Sequence, residues 1–350
     1  MKTIFISDTH IGQNTPENWY QKSVHEKYLK AILQYVQSNA EDIQDVVILG
    51  DWFDLWMYTP QPQISATLNN IINNNLNVFT KQSDGDFITC MDSIQGNLYY
   101  VHGNHDMNID FNQVNKYFAP LSSKNKQVIC TDRIYGKNGI YAEHGHYYDT
   151  LCKPYSGKTD KYKPLPIGYF ISRIAAWWCE KQLKKAGKSN SSELQNQGNP
   201  SANDFWTIIF DNDFYKIVFT MPDGTSIKRS DVLNLYPDLV TSWEDVTKLL
   251  TVDLNNCLDN YGANLCNDSY NGVKNKVVVM GHTHVPTMQQ HLNSVYVNSG
   301  FMCPAVPDVS DGNMMMTFVE VDQNSSSYTV TIKKVNYPDT SIINYNQCIV

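Results

Sequence analysis

The chain predicts an α/β fold in which parallel strands deliver five polar clusters to one rim, interrupted by a largely helical insertion. Three observations carry this expectation. Five short apolar runs, Thr3-Ile4-Phe5-Ile6, Val46-Val47-Ile48-Leu49, Leu98-Tyr99-Tyr100-Val101, Ile140-Tyr141-Ala142 and Val277-Val278-Val279-Met280, have the length and the β-branched or aromatic content of buried strands. Each run ends at a polar block: Asp8-Thr9-His10, Gly50-Asp51-Trp52-Phe53-Asp54, Gly103-Asn104-His105-Asp106, His144-Gly145-His146 and Gly281-His282-Thr283-His284. In open α/β sheets the loops past the carboxyl ends of strands converge on one crevice, so the five blocks have a physical reason to meet. The segment between His146 and Gly281 is far longer than one crossover needs, which predicts an inserted cap.

Taken in order, the first strand is followed by a helical pattern at Tyr28, Leu29, Ile32, Leu33 and Val36, with His25 expected on a solvated first turn. The Asn-rich stretch 69–77 reads as base composition. His102 ends the third strand and is expected to hydrogen-bond backbone near the site. Residues 165–185 read as an aromatic amphipathic helix, with apolar positions at Phe170, Ile171, Ile174, Ala175 and Trp178 and a basic end at Lys181, Lys184 and Lys185. Packing against the core is the first reading of that helix. Covering substrate, with Trp178 as a contact, or touching a membrane face are the alternatives. Residues 187–203 are a Gly, Ser, Asn and Gln loop, 205–218 are apolar, and 242–258 are again helical in pattern. Residues 294–297, 314–321 and 328–335 are expected as antiparallel strands closing a second sheet. The organisation that follows is a core of 1–150 with 277–350 and an inserted cap of 151–276.

Composition narrows the function classes. The 350 residues carry a formal charge of −8, and no clustered basic face appears, so no nucleic-acid partner is expected. The first strand begins directly after Met1-Lys2 and no run reaches the ~18–20 apolar residues of a membrane span, which favours the cytoplasm. The eight cysteines are scattered without a C-x-x-C pair, and read mostly as small buried hydrophobes. Cys257 and Cys266 are the one pair placed to be checked for bridging.

Six of the nine histidines fall inside the five blocks, mixed with Asp and Asn. Such donors suit borderline divalent ions, Mn first and then Fe, Zn or Co, rather than Mg or Ca. The five blocks, in this order from 8 to 284, resemble the calcineurin-like metallophosphoesterase superfamily, whose pattern is D-x-H, G-D-x-x-D, G-N-H-D/E, an isolated His before Gly, and G-H-x-H. The resemblance implies a four-layer α/β/β/α sandwich. It implies that Asp8, His10 and His284 hold one metal, that Asn104, His144 and His282 hold the other, and that Asp51 bridges both. It further implies His105 over the phosphate, acting on the leaving oxygen. Asp106 is expected to orient His105, and Asp54 to orient His10. His146, two residues past His144, is a candidate for reaching substrate.

Among the branches of that superfamily, phosphoprotein phosphatases carry Arg and Glu where Leu55 and Asp106 stand. Repair nucleases share G-N-H-D, but the acidic balance disfavours DNA. The chain is most similar to the UDP-2,3-diacylglucosamine hydrolases, through Gly50-Asp51-Trp52-Phe53-Asp54-Leu55-Trp56 and Gly281-His282-Thr283-His284-Val285-Pro286. It departs from them in having His105 for Arg, His146 for Asp and a longer cap. The expected activity is therefore hydrolysis of a phosphodiester or pyrophosphate bond in a small-molecule, lipid-linked substrate. A nucleotide phosphodiesterase or phosphomonoesterase is the alternative enzyme, and a catalytically silent scaffold the non-enzyme alternative.

Overall fold

The computed structural model describes residues 1–350 apart from 63–65, 83–84, 156–162, 195–199, 252–253, 302–315 and 337. In chain order the strands are β1 (Lys2–Ile6), β2 (Ile43–Leu49), β3 (Leu98–Val101), β4 (Val128–Thr131), β5 (Tyr135–Lys137), β6 (Ile140–Ala142), β7 (Val218–Thr220), β8 (Ser226–Lys228), β9 (Ser269–Tyr270), β10 (Val273–Lys274), β11 (Val277–Met280), β12 (Thr287–His291), β13 (Ser294–Asn298), β14 (Met316–Gln323), β15 (Tyr328–Val335) and β16 (Ile342–Ile349). One sheet has the order β16-β15-β14-β1-β2-β3-β4 and a second the order β12-β13-β11-β6-β5. Strands β1 to β4 are parallel neighbours, and so are β6, β11 and β13.

Side-chain alternation along these strands builds the layers. Phe5, Val47, Leu49 and Val101 face Ala142, Val277, Val279 and Val297 in a cluster between the two sheets. Ile4, Ile6, Val46 and Ile48 turn the other way onto helices Lys22–Ser38 and Phe87–Ser93. On the far side Val278, Met280 and Tyr296 meet Leu258 of helix Leu254–Leu265. This is the α/β/β/α sandwich. Strands covered on both faces read as unbroken apolar runs, which is why five of them stand out in the sequence. The closing strands differ from expectation. β13 joins the second sheet parallel to β11, whereas β14 and β15 extend the first sheet, with β14 antiparallel to β1. Phe318 packs on the helix side and Val319 and Val321 on the inner side, the alternation of a strand inside that first sheet.

The 151–276 segment divides between two clusters. Helix Ile167–Ala186 supplies Phe170, Ile171 and Ile174 to a second apolar core with Phe205, Phe214, Phe219, Tyr236, Trp243 and Val246. Gly187, at φ 63°, ends that helix in the left-handed conformation glycine tolerates. Capping boxes at Ser201 with Asp204 and Ser242 with Asp245 start helices Ala202–Ile209 and Trp243–Leu249. Helix Leu254–Leu265 instead covers the second sheet, because Leu258 has Val278 and Tyr296 to bury against. The aromatic helix thus follows the first reading, as core of the insertion. Trp56 and Met107, just past the second and third polar blocks, enter the same cluster and seat the insertion on the rim. Six described cysteines, Cys266 among them, are free thiols; the Cys257 side chain and Cys303 lie outside the described residues.

Candidate metal centre

All seven expected ligands stand at the carboxyl ends of β1, β2, β3, β6 and β11, and the loops bring them together. Asp8, His10 and His284 form one group, and Asp51, His144 and His282 another. Nε2 of His10 lies 3.1 Å from Nε2 of His284, which in turn is 3.7 Å from Oδ1 of Asp8. In the second group Nε2 of His144 is 3.2 Å from Oδ1 of Asn104. The two groups share Oδ2 of Asp51, 3.6 Å from His10 and 3.3 Å from His144. The other oxygen, Oδ1, accepts the His105 backbone N–H at 2.7 Å, so only one oxygen is free to join the groups.

The loops are tight. Five of the seven residues, Asp8, His10, Asp51, His282 and His284, have φ between 47° and 72°, the left-handed region that costs non-glycine residues roughly 1 kcal/mol or more each. A Cβ on Gly103 would lie 2.2 Å from Oδ1 of Asp51, so only glycine lets the second and third loops approach this closely. The fifth loop is held by Asp8, whose Oδ1 accepts the His282 N–H at 2.8 Å, and by Asn298, whose Nδ2 donates to the Gly281 carbonyl at 2.7 Å.

The donor chemistry fits divalent cations. Nδ1 of His144 donates to the Leu49 carbonyl at 2.8 Å, which turns Nε2 towards Asp51 and Asn104. Burial pushes the His144 imidazole down, but Asp51 and Asp8 outweigh it and lift the group to about 9. Burial likewise pushes the Asp51 carboxyl up, and His144 and His105 overcome it, holding that carboxyl well below the usual range. Burial and the neighbouring His10 push the His284 imidazole well down. Buried carboxylates among imidazole lone pairs make a pocket that concentrates negative potential where cations bind.

His105 stands over the first group, its ring 4.5 Å from that of His10. Its Nδ1 donates to Oδ1 of Asp54 at 2.9 Å, not to Asp106 as expected. The reason is the turn. Asp106 is consumed by backbone, accepting from Gly103 N–H at 2.7 Å and Trp52 N–H at 2.9 Å, and so ties the second loop to the third. Asp54 lies 3.5 Å from Nδ1 of His10 as well, so it faces both rings. Burial pulls His105 down, and Asp54 and Asp51 outweigh it to raise the imidazole above its ordinary value. Two indoles cover the ring: Trp56 stacks at 4.7 Å and 29°, and Trp19 lies at 5.2 Å and 35°.

A cavity of about 330 Å³ opens beside His105, lined by Trp56, Leu68, Ile109, Leu165, Tyr169 and Met221 among others. Trp178 is not on that wall; it packs half-buried against the insertion's own core, on another face of the helix that carries Tyr169. His146 is buried beside His144, rings 5.5 Å apart, with neither ring nitrogen hydrogen-bonded, and it does not line the cavity. His102 behaves as expected, with Nε2 3.1 Å from the Ile109 carbonyl oxygen. His25 does not: it is fully buried, its Nδ1 accepting the Gln21 N–H at 2.8 Å, and burial pushes it down to about 4. Asp149 escaped the sequence reading, although its Oδ2 lies 2.9 Å from Nε2 of His282. Its only local signal is a lone carboxylate in an Asp-x-Leu turn after the fourth block.

The calcineurin-like phosphoesterase family model matches residues 1–286. Two UDP-2,3-diacylglucosamine hydrolases are similar over 154 residues: one from Psychromonas ingrahamii at 27% identity, covering 43% of this chain and 49% of that protein, and one from Histophilus somni at 29%, covering 43% and 50%. The chain therefore spans about half the length of these curated relatives. Among solved structures, an archaeal phosphodiesterase aligns over 95% of this chain and 99% of its own at 11% identity and a TM-score of 0.35. Vacuolar protein sorting protein 29 of Cryptosporidium parvum aligns over 99% and 97% at 12% and 0.34. Since the family match embraces every loop that reaches the centre, the chain belongs to the calcineurin-like phosphoesterase family.

Proposed function

We propose that the chain is a dinuclear metal-dependent hydrolase of a phosphodiester or pyrophosphate bond. The observation that supports this reading is Oδ2 of Asp51, one buried carboxylate oxygen common to two donor groups. Asp8, His10 and His284 would hold one ion and Asn104, His144 and His282 the other. Mn is the ion we favour, and the same donors suit Fe, Zn or Co. Bound, such a pair supplies Lewis-acid activation of water and of the phosphoryl group.

The chain's own residues do the rest. With Nδ1–H held by Asp54, His105 directs Nε2 away from the loop, where an imidazolium proton can pass to the leaving oxygen. Trp19 and Trp56 pack against the ring and shield it from water. The cavity beside His105 combines apolar walls at Leu68, Ile109, Leu165 and Met221 with polar groups of Asn108, Gln113 and Arg173, which suits a substituent with both apolar and polar parts, in line with a lipid-linked substrate. We assign the activity to the cytoplasm. Exposed Phe210 and Tyr215 beside Lys216 are the part of the insertion suited to a membrane face.

The test is a hydrolysis panel on chelator-stripped protein with and without added Mn. The panel holds a nitrophenyl phosphodiester, a nitrophenyl monoester, a cyclic nucleotide, and a UDP-sugar with and without acyl chains. Mn-dependent turnover of the diester or the UDP-sugar, improved by acylation, is the expected result. Preference for the monoester or the cyclic nucleotide would favour the alternative enzyme reading. Two bound ions with no turnover would leave a scaffold.

A further inference from the structure

Asp149 closes the fourth loop, where the chain leaves the second sheet for the insertion. Its Oδ2 lies 2.9 Å from Nε2 of His282, and its Oδ1 accepts the Leu151 N–H at 2.7 Å. The Cys152 thiol donates to the same carboxylate. Asp149 is 5% exposed, so it is an acceptor in a dry setting. An imidazole that donates from Nε2 carries its lone pair on Nδ1. His282 belongs at once to the Asp149–Cys152 cluster and to the Asp51–His144 group.

We propose that Asp149 is the positioning residue of the second metal subsite: it fixes His282 in the Nε2–H form, so that Nδ1 faces Asp51, Asn104 and His144. This rests on the dinuclear reading above. The same turn reaches the insertion. The Gly168 N–H, in the first turn of helix Ile167–Ala186, donates to the Leu151 carbonyl at 2.8 Å. A Cβ on Gly168 would stand 2.9 Å from that carbonyl oxygen and 3.1 Å from Sγ of Cys152, so the helix is seated directly on the turn. Position and protonation of His282 are thereby tied to the seating of the insertion.

The experiment uses the full chain with selectively ¹⁵N-labelled histidine and titrates Mn calorimetrically. In the metal-free wild type, His282 should show a protonated Nε2 and an unprotonated Nδ1. Asp149→Ala should lose that signature and weaken the second Mn equivalent about 10–100-fold while sparing the first, the usual effect of removing a carboxylate behind a ligating imidazole. Asp149→Asn keeps one acceptor oxygen, which can hold the Leu151 N–H, but turns an amide donor toward Nε2 of His282, so it should keep the turn while losing the Nε2–H form. It also guards against a turn that fails to fold. Gly168→Ala, which forces the turn to shift, should weaken the same equivalent. An unchanged tautomer and unchanged second equivalent in Asp149→Ala would overturn the proposal. So would a third Mn equivalent that disappears with Asp149, since the carboxylate would then be a ligand. If the wild type takes up fewer than two ions, the dinuclear reading fails, and the tautomer measurement alone still judges the role of Asp149.

Discussion

Replacing Asp54 by Asn separates the charge behind His105 from the shape around it. Oδ1 of Asp54 accepts from Nδ1 of His105 at 2.9 Å, from the Trp56 N–H at 2.9 Å and from the Met57 N–H at 2.8 Å. An amide oxygen can keep all three contacts, so the turn should survive. What changes is that a charge-assisted hydrogen bond to a buried imidazole becomes a neutral one, a difference of about 1–2 kcal/mol. If His105 delivers its proton to the leaving oxygen, kcat for an alkyl phosphodiester should fall about 5- to 30-fold, while a nitrophenyl ester, which needs little protonation, should lose far less. His105→Ala should cut kcat on the alkyl substrate by ~10²–10⁴. The decisive assay is the double variant. Acting only through His105, Asp54→Asn should add nothing in the His105→Ala background. Additive losses would refute the chain of action, and so would loss of bound metal, because Asp54 also lies 3.5 Å from His10.

Asp51→Asn should empty the centre and abolish turnover, since it removes the charge common to both donor groups; elemental analysis showing two retained ions at normal rate would sink the dinuclear reading. For the cavity, Leu165→Trp should slow acylated substrates selectively by filling the wall beside His105, whereas Trp178→Ala should lower the melting temperature and affect large and small substrates alike. A selective loss with Trp178→Ala would return that residue to the substrate wall. His25 predicts a pH dependence. Its value is lowered from 6.5 to about 4 in the fold, so the fold holds it neutral and the unfolded chain binds the extra proton. Its contribution is complete above pH 6.5 and is lost as the pH falls towards 4, at about 1.4 kcal/mol per unit and roughly 3 kcal/mol in all. Urea midpoints of wild type and His25→Gln across that range should diverge in slope; parallel curves would show that His25 is not buried as described.

The strands and their terminal blocks were legible because strands buried on both faces leave long apolar runs, and because parallel strands end on the same rim. The aromatic helix was legible from its 3.6-residue spacing, and its bounds of 167–186 lie close to the expected 165–185. Pairings that depend on loop shape were not. Asp106 adjoins His105 in sequence and Asp54 is far from any histidine, yet the turn spends Asp106 on backbone N–H groups and brings Asp54 to the ring. His25 looked solvated because a histidine at a helix start usually is; here the chain from Thr15 to Gln21 folds back over it, and Gln21 supplies the donor. Trp19 has no local signal at all, since its contacts with His10 and His105 join loops far apart in sequence.

The left-handed backbone at Asp8, His10, Asp51, His282 and His284 has a consequence for how this molecule resists heat. Each of these positions would be relieved by glycine, and Asp8, His10 and Asp51 also bury a carboxylate or an imidazole completely. A chain drifting under selection for folding alone would shed them. The rim is therefore a reservoir of instability that the packed sheets beneath it carry, and variants that dismantle it should, as a class, melt later than the protein that keeps it.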